Sequence, residues 1–130
     1  MENYLQVLEE SLYKKLDVLG RIESLCARQE QILSSESVSE EAFDDSIEEK
    51  GVLIDELTKL DEGFETLYGH IKEQLMAGRE KYKPQINALQ KKIAEVTEKS
   101  VAIRAQEARN QKLARNYFAK AKEDLKRNRK

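Results

Sequence analysis

Apolar residues recur at three- and four-residue steps through most of the chain, the spacing that lays one stripe along an α-helix. Leu5, Leu8, Leu12, Leu16, Leu19, Ile22, Leu25 and Leu33 form the first stripe, widened by Tyr4, Val7 and Val18. The spacing predicts a helix over about 2–33, with Gly20 tolerated inside it at a cost of about 1 kcal/mol relative to alanine. The polar run Ser34–Ser39 breaks the stripe and also carries helix-start chemistry. Ser37 with Glu40 fits a capping box, whereas Ser39 as the cap lets Val38 and Phe43 form a hydrophobic staple. A second helix then runs over about 40–77. Its apolar row is Phe43, Ile47, Ile54, Leu57, Phe64, Tyr68, Ile71 and Leu75, alternating by four and three if Lys50 and Asp61 are counted in it. That is a heptad seam with two charged members. The two are expected to snorkel to water; the alternative is a counter-charge for each on a neighbouring helix.

Gly51, Gly63 and Gly69 weaken the second helix, so packing must hold it. Met76-Ala77-Gly78 reads as its end, with Gly78 at a left-handed cap position. Pro84 reads as the first turn of a third helix reaching about 128. This helix changes character along its length. Ile86, Leu89, Ile93 and Val96 come at tight spacing, and the stripe then thins to Ile103, Leu113, Tyr117 and Leu125 among many alanines. Firm docking takes about three or four apolar residues per two turns, so the far end has too few to dock alone. At 1.5 Å per residue the helices span roughly 48, 57 and 67 Å. With short connections, consecutive helices are antiparallel and the end of the third overhangs. The expected fold is all-α, one domain over 1–130: an elongated antiparallel three-helix bundle or coiled coil with a long protruding C-terminal helix.

Composition agrees with this and narrows the function. The chain is 37% charged and 39% apolar, with no Trp and one Pro, and its mean hydropathy is −0.74. The net charge of −2 conceals a polarity: residues 1–65 hold 6 Lys/Arg against 18 Asp/Glu, and residues 66–130 hold 17 against 7. Acidic helices neutralising a basic neighbour explain this most simply. A nucleic-acid-binding tail is the lesser reading, because Glu123 and Asp124 interrupt the run Lys120, Lys122, Lys126, Arg127, Arg129, Lys130. Cys26, the only cysteine, sits in an apolar stripe and suits a buried thiol in a reducing cytoplasm. No run approaches the ~18 apolar residues of a membrane span, and the start of the chain lacks signal-peptide features.

Enzymatic chemistry has little to stand on. His70, the only histidine, falls beside the second seam and reads as exposed. Neither a Cys/His metal cluster nor a glycine-rich phosphate loop is present, and no cofactor or metal is expected. Binding through a helical surface is left, with Ile103, Asn110, Leu113, Tyr117 and Phe118 as the candidate partner-binding residues. An aromatic pair on a helix end can anchor in a partner's groove; the alternative is that the stripe folds back on the first helix or a second copy.

The stretch from Phe43 to Leu75, with Glu49-Lys50, Leu53-Ile54, Leu60-Asp61 and Phe64, resembles the second helix of FlgN-like flagellar export chaperones. Leu89–Asn110, with its Glu107-x-x-Asn110 step, is similar to the third helix of that family. The resemblance implies a cytoplasmic chaperone of flagellar type III secretion. Such a chaperone binds the disordered C-terminal segments of hook-associated (hook–filament junction) proteins through its C-terminal helix, here Ile103 to Phe118. It also implies the export gate as a further partner, with Tyr117 as the only tyrosine after Tyr82 available for it. The expected free state is a monomer or weak homodimer, without nucleic acid or membrane insertion. A coiled-coil adaptor or scaffold using the C-terminal helix for self-association is the competing reading.

Overall fold

The computed structural model describes residues 1–128, so Arg129 and Lys130 of the basic run lie outside the described residues. Three helices make up the chain: α1 (Glu2–Ser34), α2 (Glu40–Ala77) and α3 (Lys83–Asn128). The all-α three-helix bundle is as the periodicity predicts. α1 is the central element and packs on both of the others, whereas the backbones of α2 and α3 do not meet. Leu5, Leu8 and Leu12 of α1 cluster with Ile71 and Leu75 of α2 and Leu89 of α3. Toward the other end, Val18, Leu19, Ile22 and Cys26 cluster with Ile103, flanked by Leu53, Leu57 and Leu60. α3 therefore runs parallel to α1, with α2 antiparallel to both. Burying each such leucine or isoleucine contributes about 1.5–3 kcal/mol, and this burial holds helices whose polar faces are fully hydrated.

Several local expectations are settled by particular contacts. Ser39 is the cap of α2: its hydroxyl accepts a hydrogen bond from the Ala42 amide at 3.1 Å. Gly78 does not adopt the left-handed conformation; its φ is −99° and its ψ is 29°. Glycine serves a close approach there, since a Cβ would fall 2.9 Å from Cε2 of Tyr82. Tyr4 and Val7 do not widen the core face of α1 but stand half in water, whereas Val18 is buried. Ile47 and Ile54, in the α2 seam, are 48% and 43% exposed. Ile47 lines a hollow between α2 and α3, whose backbones do not come close enough to cover it.

Lys50 and Asp61 each meet a counter-charge on a neighbouring helix, Lys50 largely shielded and Asp61 still nearly half in water. Lys50 Nζ lies 3.3 Å from Glu107 Oε1 on α3, and Asp61 pairs with Lys15 on α1. The acidic α2 does not neutralise the basic α3 through ion pairs. Among the described residues the one α2–α3 pair is Lys50–Glu107, with the signs reversed from the bulk charge of the two helices.

Candidate partner-binding surface at the end of the bundle

Above the second apolar cluster the interior turns polar. Gln29 of α1 fills the stripe between Leu25 and Leu33 and is 2% exposed. Its Nε2 donates to Ser46 Oγ at 3.0 Å, and its Oε1 accepts from Lys50 Nζ at 3.2 Å. Asn110 of α3 is 4% exposed; its Nδ2 donates to the Cys26 carbonyl at 2.8 Å, and its Oδ1 accepts from Gln106 Nε2 at 3.0 Å. Gln106 also donates to Glu30 Oε2 at 2.8 Å. Among the described residues no buried side-chain nitrogen or oxygen lacks a partner. A satisfied layer of this kind rewards one helix register, because a slip would strand buried donors and acceptors. It ties α3 to α1 just below the point where α1 ends.

Ile103 and Asn110 thus belong to the bundle interior. Ile103 is 6% exposed against Val18, Leu19, Ile22 and Cys26. Both are nearly fully buried and hold α3 in place. Leu113, Tyr117 and Phe118 lie beyond the polar layer, where α3 passes the end of α1. Leu113 and Tyr117 are half-buried, and Phe118 is 47% exposed. From Leu113, which lines a groove with Leu33 near the end of α1, to Asn128, α3 runs on for about 22 Å at its helical rise. The protruding C-terminal end is therefore present.

The start of α2 steadies the near part of this overhang. Tyr117 donates its hydroxyl to Glu40 Oε1 at 3.0 Å. That hydrogen bond to a carboxylate, with some desolvation, raises the Tyr117 pKa above its ordinary value. The Phe118 ring sits 6.4 Å from Phe43 and 5.0 Å, edge-on, from Tyr117. An open groove of about 570 Å3 runs along the overhang. Leu113, Tyr117, Ala121 and Leu125 form its α3 wall, and Leu33 and Val38 form the other. Glu36, Lys120 and Asp124 border it with mixed charge. A lining that mixes apolar and charged side chains suits one face of an amphipathic helix.

Ser35, Glu36 and Val38 bring the α1–α2 turn into the groove, and sequence reasoning placed no binding residue there. The available signal was Val38, a lone aliphatic residue in an otherwise polar loop.

Cys26 is fully buried, and burial, the largest influence on it, pushes its thiol pKa up from the ordinary 9.0 despite the opposing charge of Lys50. Its reactivity is suppressed accordingly. His70 is exposed. Among the described residues no three His, Cys, Asp or Glu side chains converge as a metal site, and no helix is long and apolar enough to cross a membrane. Compared with models of known families, with curated proteins and with solved structures, the chain matches none.

Proposed function

We propose that this chain is a cytoplasmic chaperone of flagellar type III secretion. In this reading it holds the C-terminal segments of hook-associated proteins and escorts them to the export gate. The family assignment rests on the likeness of Phe43–Leu75 and Leu89–Asn110 to FlgN-like chaperones. The observation that carries the binding reading is the groove along the α3 overhang, lined by Leu113, Tyr117, Ala121 and Leu125.

The physical logic is exchange of apolar surface. A client segment that is disordered when free cannot bury its apolar side by itself. Folded as an amphipathic helix, it would place that side against Leu113, Tyr117 and Leu125 while Val38 and Leu33 close the opposite wall. Ordering the segment costs several kcal/mol of the gross interaction energy. The complex is therefore of moderate affinity and releases its client readily, as a carrier requires. Glu40 and Phe43 hold Tyr117 and Phe118 in place beforehand, which reduces the ordering needed on the chaperone's side.

Changing Leu113 and Tyr117 together to alanine tests the site. Client capture should fall below detection while the thermal unfolding midpoint drops by only a few degrees, since both side chains are half-exposed. A large fall in the midpoint with client capture unchanged would place these residues in the fold alone and remove the groove from the binding reading.

A further inference from the structure

A second candidate site lies between α1 and α2, far from the end groove. The two helices are antiparallel, so seven residues back along α1 correspond to seven forward along α2. Arg28 of α1 pairs with Glu49 of α2 at 2.7 Å. One such step on, Arg21 lines a groove with Glu56, while its ion pair is to Asp17 on its own helix. The next step sets Lys14 beside Gly63, and both line one hollow of about 240 Å3. The row of α1 cations facing α2 carboxylates thus reaches glycine where a third carboxylate would continue it. Nothing lies within 4 Å of a Cβ placed at Gly63, so the space before Lys14 is open.

Lys59 lines the same hollow from α2, where it is one of only three Lys/Arg. Both lysines are exposed, and among the described residues neither is in an ion pair. Glu10 is the one carboxylate among the lining residues, and it too is in no ion pair. Two cations therefore converge on one anion, within the acidic half of the chain. Val7, Leu60, Phe64 and Leu67 give the hollow apolar walls, and Val7 is 50% exposed. Its complement is an apolar group that carries a carboxylate.

The walls also decide which kind of peptide can bring that complement. Helical backbone N–H and C=O groups are already spent on one another. An internal segment would press two flanking peptide groups against them. A C-terminal residue carries its side chain and its carboxylate on one Cα, and brings a single peptide group.

We propose that this hollow binds the C-terminal residue of a peptide or protein that ends in a large apolar side chain. The terminal carboxylate goes to Lys14 and Lys59, as charge-assisted contacts. The side chain goes against Val7, Leu60, Phe64 and Leu67. Lys14 lies nineteen residues before Leu33, about 28 Å along α1 at its helical rise. No residue of this hollow lines the end groove, so the site stands or falls independently of the client reading.

Amide NMR of the isotope-labelled full chain tests this, with an acetylated tetrapeptide ending in leucine and phenylalanine and a free C-terminal carboxylate. The Ser11, Lys59 and Gly63 signals should shift saturably, with millimolar Kd or tighter. The same peptide made as its C-terminal amide should leave them unmoved. Gly63→Ala should bind as wild type does, because its Cβ meets nothing. Gly63→Glu should lose binding, since it supplies the carboxylate itself, with helical circular dichroism and melting temperature no lower than wild type. Lys14→Gln combined with Lys59→Gln should also lose it. No saturable shift with the carboxylate peptide overturns the proposal, as do equal shifts with the amide or a Gly63→Glu chain that still binds.

Discussion

Lys50 of α2 and Glu107 of α3 face each other at 3.3 Å, joining a rare cation of the acidic helix to a rare anion of the basic one. The pair sits in the polar layer, with side chains 18% and 30% exposed, and Lys50 also reaches Gln29 Oε1. Removing one partner leaves a partly desolvated charge, whereas replacing both by apolar residues removes the problem with the interaction. Glu107→Leu or Lys50→Met alone should lower unfolding free energy in urea by about 1–2 kcal/mol, the low end for such pairs because water still reaches them. Lys50→Met combined with Glu107→Leu should cost less than the two single changes added together. Strict additivity would mean that the two charges are not coupled.

The choice between two serines at the start of α2 gives a sharp comparison. Ser39→Ala removes the acceptor of the Ala42 amide and should cost about 1 kcal/mol. Ser37→Ala, outside the cap, should change the urea midpoint little. Equal effects from both would mean that the first turn of α2 is capped in more than one way.

Glycines separate by what surrounds them. Nothing lies within 4 Å of a Cβ placed at Gly51 or Gly69 in α2, while one at Gly78 meets the Tyr82 ring at 2.9 Å. Gly51→Ala and Gly69→Ala should each raise stability by about 0.5–1 kcal/mol through helix propensity. Gly78→Ala should lower it by about 1 kcal/mol, because the Tyr82 ring must shift. Thermal melts of the three variants read both signs.

Alkaline pH should destabilise the fold through two acids. The folded state raises the pKa of Cys26 by burial and of Tyr117 by its hydrogen bond to Glu40, from ordinary values of 9.0 and 10.0. Well below pH 9 both are protonated in the folded and the unfolded chain, so neither makes stability depend on pH there. Above it the unfolded chain releases these protons first, so stability falls as pH rises. Melting temperature should therefore decline from about pH 9 upward, more gently in Tyr117→Phe, which cannot ionise. A Tyr117→Phe profile that falls as steeply as wild type above about pH 10 would show that the hydroxyl contributes nothing.

The three helices were legible because each stripe is a local signal: leucines at three- and four-residue steps fix α1 wherever it packs. The thinning of the stripe toward Leu113 and Tyr117 was legible for the same reason, but their partners Leu33 and Glu40 and the Phe43 ring beside Phe118 were not. The roles of Ile103 and Asn110 were not. They lie on that same stripe, and only the height at which α1 ends divides interior from overhang. Ile47 and Ile54 show a further limit. A heptad seam announces a neighbour without saying how close it comes, and here α1 takes the central place and leaves that part of the seam open. Lys50 and Asp61 likewise needed partners, Glu107 and Lys15, far away in sequence. Val38 became visible as a groove wall only once the α1–α2 turn was folded beside α3.

The most direct measurement is a calorimetric titration of the whole chain with the C-terminal segments of hook-associated proteins from the same host. Saturable binding at micromolar affinity or tighter is expected with at least one segment, lost in the Leu113→Ala, Tyr117→Ala variant and weakened by Leu125→Asp. An absence of binding heat with every such segment, at more than one temperature, would contradict the chaperone reading and leave the overhanging groove without its proposed client.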